Sequence, residues 1–155
     1  MSALLPDLQA VAARAVVLLE EATGRILLFA PPSVIKDLKE NLVAAHRRGC
    51  LTEVICTAPV AGIRGNFTVV PESAGPTTAW IQLVVDGERW LLASAPVDAG
   101  DPAGSWGRQP PVAAALTVTL DTLRQTGVHR AEMAATEGFV APDVVCRSRD
   151  DRPRP

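Results

Sequence analysis

Apolar positions recur along this chain with two different periods, and the switches between them mark its elements. From Leu4 to Ala22, the residues Leu4, Leu5, Leu8, Val11, Ala12, Ala15, Val16, Leu18 and Leu19 follow one another at three- and four-residue steps, which predicts a first helix with a buried stripe. Thr23-Gly24 supplies a stop. Arg25 to Ala30 is then a short, almost wholly apolar run bounded by Pro31-Pro32, the composition of a strand buried on both faces. Ser33 or the proline pair opens a second helix to Arg48, with Val34, Ile35, Leu38, Leu42, Val43 and Ala45 on its apolar side, and Gly49 ends it. Leu51 to Thr57 resumes strand character, so strand, amphipathic helix and strand follow in the order of a parallel crossover unit.

Further on, Asn66 to Val70 is a short strand, while Ala79–Val85 and Glu88–Ser94 flank Asp86-Gly87, a strong hairpin signal. A two-residue turn sets Val85 opposite Glu88 and Leu83 opposite Trp90, with Trp80 nearer position 93. Ala95 to Gln109, rich in Gly, Pro, Ala and Asp, reads as a long connection able to act as a lid. Pro110-Pro111 opens a third helix to Arg124, whose buried side carries Val112, Leu116, Leu120 and Leu123. The expected fold class is α/β, a mixed sheet with flanking helices. One domain is expected over residues 1–127. Residues 128–155 read as an extension, with a short helix around Ala131–Glu137 and a mobile end.

Composition narrows the chemistry. The chain has 155 residues, 48% of them hydrophobic, with a net charge of −2, so it can bury a substantial core but has no global basic field to hold a nucleic-acid backbone. No apolar run approaches the roughly 18 to 20 residues of a membrane helix, and the N-terminal region is acidic, so a cytoplasmic location is expected. Three cysteines without CxxC spacing argue against a disulfide framework and a structural zinc site. Ser94 and Ser105 lack a GxSxG setting, and no Walker or GxGxxG loop is present. His46 reads as a surface residue capping a helix C-terminus, and His129 has only Glu132 near it, so no metal, cofactor or catalytic residue is expected.

The run Ile26–Pro32, the helix end Ala44–Cys50 and the segment Asp86–Leu92 together resemble the effector-binding domain of TrmB-like transcription regulators, over roughly residues 1 to 125. That resemblance implies the fold of one phospholipase D half, and Trp106–Pro111 stands where the family has a tryptophan-containing segment before its terminal helix. The winged helix-turn-helix of such regulators has no counterpart here, because one helix alone precedes the first strand. The phospholipase D motif His-x-Lys-x4-Asp, aligned on Asp86, would place Ala79 at the nucleophile and Ile81 at the charge-stabilising lysine; neither can do that work. A degenerate match, His46, Arg48 and Glu53, starts inside the second helix and crosses its end.

The candidate ligand-binding residues are Trp106 and Arg108, an indole face beside a guanidinium, with Trp80 and Trp90 on the hairpin arms. The leading expectation is a non-catalytic small-molecule-sensing module. The alternatives are a small cyclase, isomerase or lyase acting on a hydrophobic metabolite, and a structural partner subunit. Expected partners are a small-molecule ligand and a regulator or biosynthetic protein, without direct nucleic-acid or membrane contact. A homodimer is also expected: helix one carries two apolar lines, and one of them, including Val11 and Leu18, would be left for a second copy.

Overall fold

The structure is a computed structural model, which describes residues 2–72, 81–94 and 100–131. In chain order the elements are β1 (Ser2–Leu5), α1 (Leu8–Glu21), β2 (Arg25–Phe29), α2 (Pro32–Arg47), β3 (Leu51–Cys56), β4 (Asn66–Val69), β5 (Ile81–Val85), β6 (Arg89–Ala93), β7 (Gly104–Arg108), α3 (Pro110–Arg124) and β8 (Val128–Ala131). The strands form one sheet in the order β1-β7-β6-β5-β2-β3-β4-β8. At its centre β2 pairs antiparallel with β5 on one side and parallel with β3 on the other, the latter in the register Leu28↔Val54. β3–β4 is also parallel, and the other ladders are antiparallel. The mixed α/β sheet with flanking helices is therefore the fold.

Alternate residues of each strand face opposite layers. Ile26, Leu28, Val54, Leu83 and Leu91 join Val11, Ala15 and Leu18 of α1 and Ile35, Leu38 and Leu42 of α2 in the larger core. Leu27, Phe29, Ile55 and Val84 point the other way, onto Ala113, Leu120 and Leu123 of α3. Three helix ends show why the helices stop where they do. Asp7 caps α1, its carboxylate accepting from the Ala10 N–H at 2.8 Å. Gly49, with φ +98°, closes α2 by turning left-handed, so that its N–H reaches His46 O and the Cys50 N–H reaches Ala45 O. Arg48 Nη2 donates to Leu19 O and Ala22 O, placing a cation at the C-terminus of α1.

Five expectations are corrected. Helix one does not begin at Leu4: Ser2–Leu5 is a strand, because Pro6 interrupts the run and Asp7 supplies the cap. Its two apolar lines are not divided between core and partner. Val11 and Leu18 are 1% exposed, and Leu19 of the second line is buried with them, because α1 packs on both the sheet and α2. Gly104–Arg108 is not loop but strand β7, held between β6 and β1. The hairpin turn has three residues, Asp86 to Glu88, with φ positive at Asp86 and Gly87, so Val85 pairs Arg89 and Trp90 faces Val84 instead of Leu83. Val128–Ala131 pairs with β4 as an edge strand, whereas the rest of the helix expected up to Glu137, the tail beyond it and Cys146 lie outside the described residues.

Candidate functional site

Asp86 sits at the hairpin tip and works for the fold. Its carboxylate accepts from the Thr23, Gly24 and Arg25 N–H groups, from Thr23 Oγ1 and from Arg89 Nη2, at 2.6 to 3.2 Å. It therefore ties the β5–β6 turn to the start of β2, and Arg89 extends the tie to Glu21 of α1. Burial pushes the Asp86 pKa up, but the backbone donors of Thr23, Arg25 and Gly24 outweigh it and hold the group below the ordinary carboxylate range. A carboxylate so engaged has no free oxygen to orient a catalytic base.

The four candidate ligand residues do not converge. Trp106 lies on the α1 side of β7, and Arg14 of α1 stacks over its ring with the guanidinium carbon 3.9 Å from the centroid. Arg108, two residues along the same strand, shares that side, and its guanidinium is paired with Glu88. Trp90 is on the opposite face, where its indole N–H donates to Gln109 Oε1 at 2.8 Å. Trp80, and with it the Ala79 position, lies outside the described residues. The degenerate set is also dispersed: His46 is exposed on α2, Arg48 caps α1, and Glu53 is buried against Arg25 on the α3 face.

An arrangement that the sequence reading missed lies between α1 and α2. There Leu8, Val11, Ala12 and Ala15 of α1 face Val34 and Leu38 of α2 across a cleft of about 160 Å³, closed at one end by Ile81, the first residue of β5. Each wall residue taken alone reads as core. The gap arises because α1 contributes alanines at 12 and 15 where a larger side chain would fill the space between the helices. Among the described residues Asp37 is the one polar residue of the lining, and it is exposed. Ile81, 3% exposed, occupies the position to which the phospholipase D resemblance assigns a lysine. A larger depression of about 330 Å³ at the β1–β7–β6 corner opens broadly to solvent and is lined by Ser94 and Ser105, with no charged side chain among the described residues that line it.

The α3 face is more polar. Arg25 Nη2 reaches the buried Glu53 at 2.6 Å and Asp121 of α3 at 3.3 Å, and Arg124 reaches Asp121 at 3.1 Å. Burial works against the Arg25 charge, but hydrogen bonding to Glu53, with the Glu53 and Asp121 charges, holds its pKa above the usual value. On the same face Gln82 Oε1 and Thr68 Oγ1 are buried without a hydrogen-bond partner among the described residues. Burial pushes the Cys56 thiol up, against weaker opposition from the Ala58 and Thr57 N–H groups, so the sulfur stays protonated and unreactive. Among the described residues no cluster of His, Cys, Asp or Glu could hold a metal, and no helix is long and apolar enough to cross a membrane.

No protein-family profile and no curated protein sequence matches the chain. Among solved structures it is similar to TrmBL2, an archaeal chromatin protein, with a TM-score of 0.65 at 14% identity. That match covers 81% of this chain and 53% of TrmBL2, so this chain spans about half the length of that relative. It is similar over nearly the full length of Nuc from Salmonella typhimurium, a phospholipase D family member, with a TM-score of 0.63, 15% identity and coverage of 84% and 98%. NucT from Helicobacter pylori gives 0.57 at 11% identity, with coverage of 83% and 96%. The fold is thus that of TrmB-like and phospholipase D-like domains.

Proposed function

We propose that this chain is a non-catalytic ligand-binding module on a phospholipase D-like fold, of the kind a TrmB-like regulator uses to sense a small molecule. The observation that carries the reading is the α1–α2 cleft floored by Ile81. At the place where the resemblance puts a charge-stabilising lysine, this chain has an apolar wall, and Asp86 is held by the backbone of the β2 start. Apolar walls with a single polar group favour binding over chemistry, and the polar group here is an exposed carboxylate, not the desolvated acid or base an enzyme would need. Ligand held between α1 and α2 would favour the arrangement in which the two helices are close, and α1 would carry that bias to the adjoining edge strand β1.

On this reading the partners remain a small molecule and a second protein. The isolated chain, at net charge −2, does not hold duplex DNA at physiological salt. A homodimer, if formed through the α1 end, would use Leu4 and Leu8, which are 71% and 43% exposed, since Val11 and Leu18 belong to the chain's own core. The test is hydrolysis of bis(p-nitrophenyl) phosphate by the purified chain. We expect no protein-dependent release of p-nitrophenolate; turnover that co-purifies with the chain would overturn the non-catalytic reading.

A further inference from the structure

The geometry points to a ligand class for the α1–α2 cleft: a small apolar molecule, about one six-membered ring in size, bearing a single amine that pairs with Asp37. This rests on the ligand-binding reading above and deepens it. Size comes first. A cleft of about 160 Å³ compares with the apolar cavities of roughly 150 Å³ that hold one benzene-sized molecule. Among the described residues its walls, Val11, Ala12, Ala15, Val34, Leu38 and Ile81, offer no hydrogen-bonding side chain, which favours a hydrocarbon for the enclosed part of the ligand.

Charge then fixes the other end. Among the described residues Asp37 is the one ionisable residue that lines the cleft. One turn away along α2 stand Ser33, Val34, Glu40 and Asn41, so no cation faces it at helical spacing, and Glu40 adds to the negative potential. Nearby cations are engaged or point elsewhere. Arg14 stacks on Trp106, Arg48 caps α1, Arg89 pairs with Glu21 and Asp86, and the Lys39 amine lies against Gly62. Lys36 is the sequence neighbour of Asp37, and adjacent residues do not face each other on a helix. The mouth is thus negative with no described counter-ion, which favours an ammonium and repels carboxylates and phosphates.

The test is a titration of the full chain, with Ile, Leu and Val methyl groups labelled for NMR, by benzylamine, benzyl alcohol and benzoate. These three probes share a ring and differ at the polar end. We expect saturable shifts at Ile81, Leu38 and Val34, with benzylamine binding roughly 1.5- to fivefold more tightly than benzyl alcohol, the range for a solvent-exposed charge pair, and benzoate not binding. Asp37→Asn should bring the amine down to the alcohol and leave the alcohol unchanged. Equal binding of amine and alcohol to the native chain, or an amine preference that survives Asp37→Asn, would overturn the ligand class while leaving a binding cleft in place. Silence of these methyls toward all three probes would overturn both the class and the cleft. If the chain were then dimeric, and Ala12→Glu made it monomeric, the cleft would belong to a second copy.

Discussion

The two faces of the sheet are built by alternate residues of the same strands, yet they are held in different ways. Under α1 and α2 the layer is mostly apolar, Ile26, Leu28, Val54, Leu83 and Leu91 against two helices, with the buried Thr52 hydroxyl satisfied by Arg64 O, and what it lacks is volume between those helices. Under α3 a single helix covers Leu27, Phe29, Ile55 and Val84, and it is tied down by the Arg25–Glu53–Asp121–Arg124 chain, beside the unpartnered Gln82 and Thr68 oxygens. The lesson is that a layer covered by two helices can tolerate a gap between them. A thinner layer depends on ion pairs to orient its one helix.

Adjacent leucines give the largest test of that contrast. Leu28→Ala opens the two-helix core and should cost about 2 to 5 kcal/mol, whereas Leu27→Ala lies under one helix that can settle into the void and should fall at the lower end of that range. Urea denaturation of both variants decides it; a cost below about 1 kcal/mol for Leu28→Ala would place that residue outside the core.

Next in size is Asp86→Ala, expected to cost about 1.5 to 3 kcal/mol, because the Thr23, Gly24 and Arg25 N–H groups at the start of β2 lose a charged acceptor. The same residue sets a pH dependence. Its folded pKa lies below the unfolded value near 3.9, so its contribution is complete above that pH and is lost as pH falls toward the folded value. Asp86→Asn should therefore flatten the acid limb of the stability profile below about pH 4. An unchanged acid limb would show that other carboxylates dominate it.

On the α3 face, Glu53→Gln should cost about 1 to 2 kcal/mol, less than a fully buried pair, because the Arg25 side chain keeps 37% of its surface in water. Amide exchange should speed up in α3 more than in α1. Equal acceleration in both helices would mean that the ion pairs do not hold α3 specifically. The smallest effect is expected at Gln82→Met, within about 0.5 kcal/mol of the native chain or slightly stabilising, since the amide oxygen it removes has no partner. A loss above about 1.5 kcal/mol would reveal a hydrogen bond to that side chain.

Much of this architecture was legible in residue periodicity. Runs such as Ile26–Phe29 and Val54–Cys56 could be nothing but central strands, and Gly49 and Asp86-Gly87 marked their turns correctly. β1 was hidden because Leu4 and Leu5 fit the helical stripe, although Pro6 followed by Asp7 was a readable break. β7 was hidden because Ser-Trp-Gly-Arg carries no β-branched residue and forms a strand through its ladder partners alone. The site was far less legible. Trp106 and Trp90 sit on opposite faces by a parity that one extra turn residue and an unrecognised strand concealed. The Arg25–Glu53–Asp121 chain depends on register and on the crossing of α3, neither of which is local. The cleft is a shape, made by alanines at 12 and 15 of one helix opposite Val34 and Leu38 of another, and no residue in it announces a gap.

The central claim, that the space between α1 and α2 is a ligand site and not a packing defect, is tested most directly by filling it. Ala12 is exposed at the cleft and can be replaced by Trp without burying a charge or breaking a hydrogen bond. Thermal denaturation of the native chain and of Ala12→Trp should be compared across a panel of small amphipathic molecules. The account predicts that Ala12→Trp is as stable as the native chain when unliganded, and that molecules raising the native Tm lose that effect in the variant. Shifts of equal size in the two proteins would contradict it and place the ligand elsewhere on the fold.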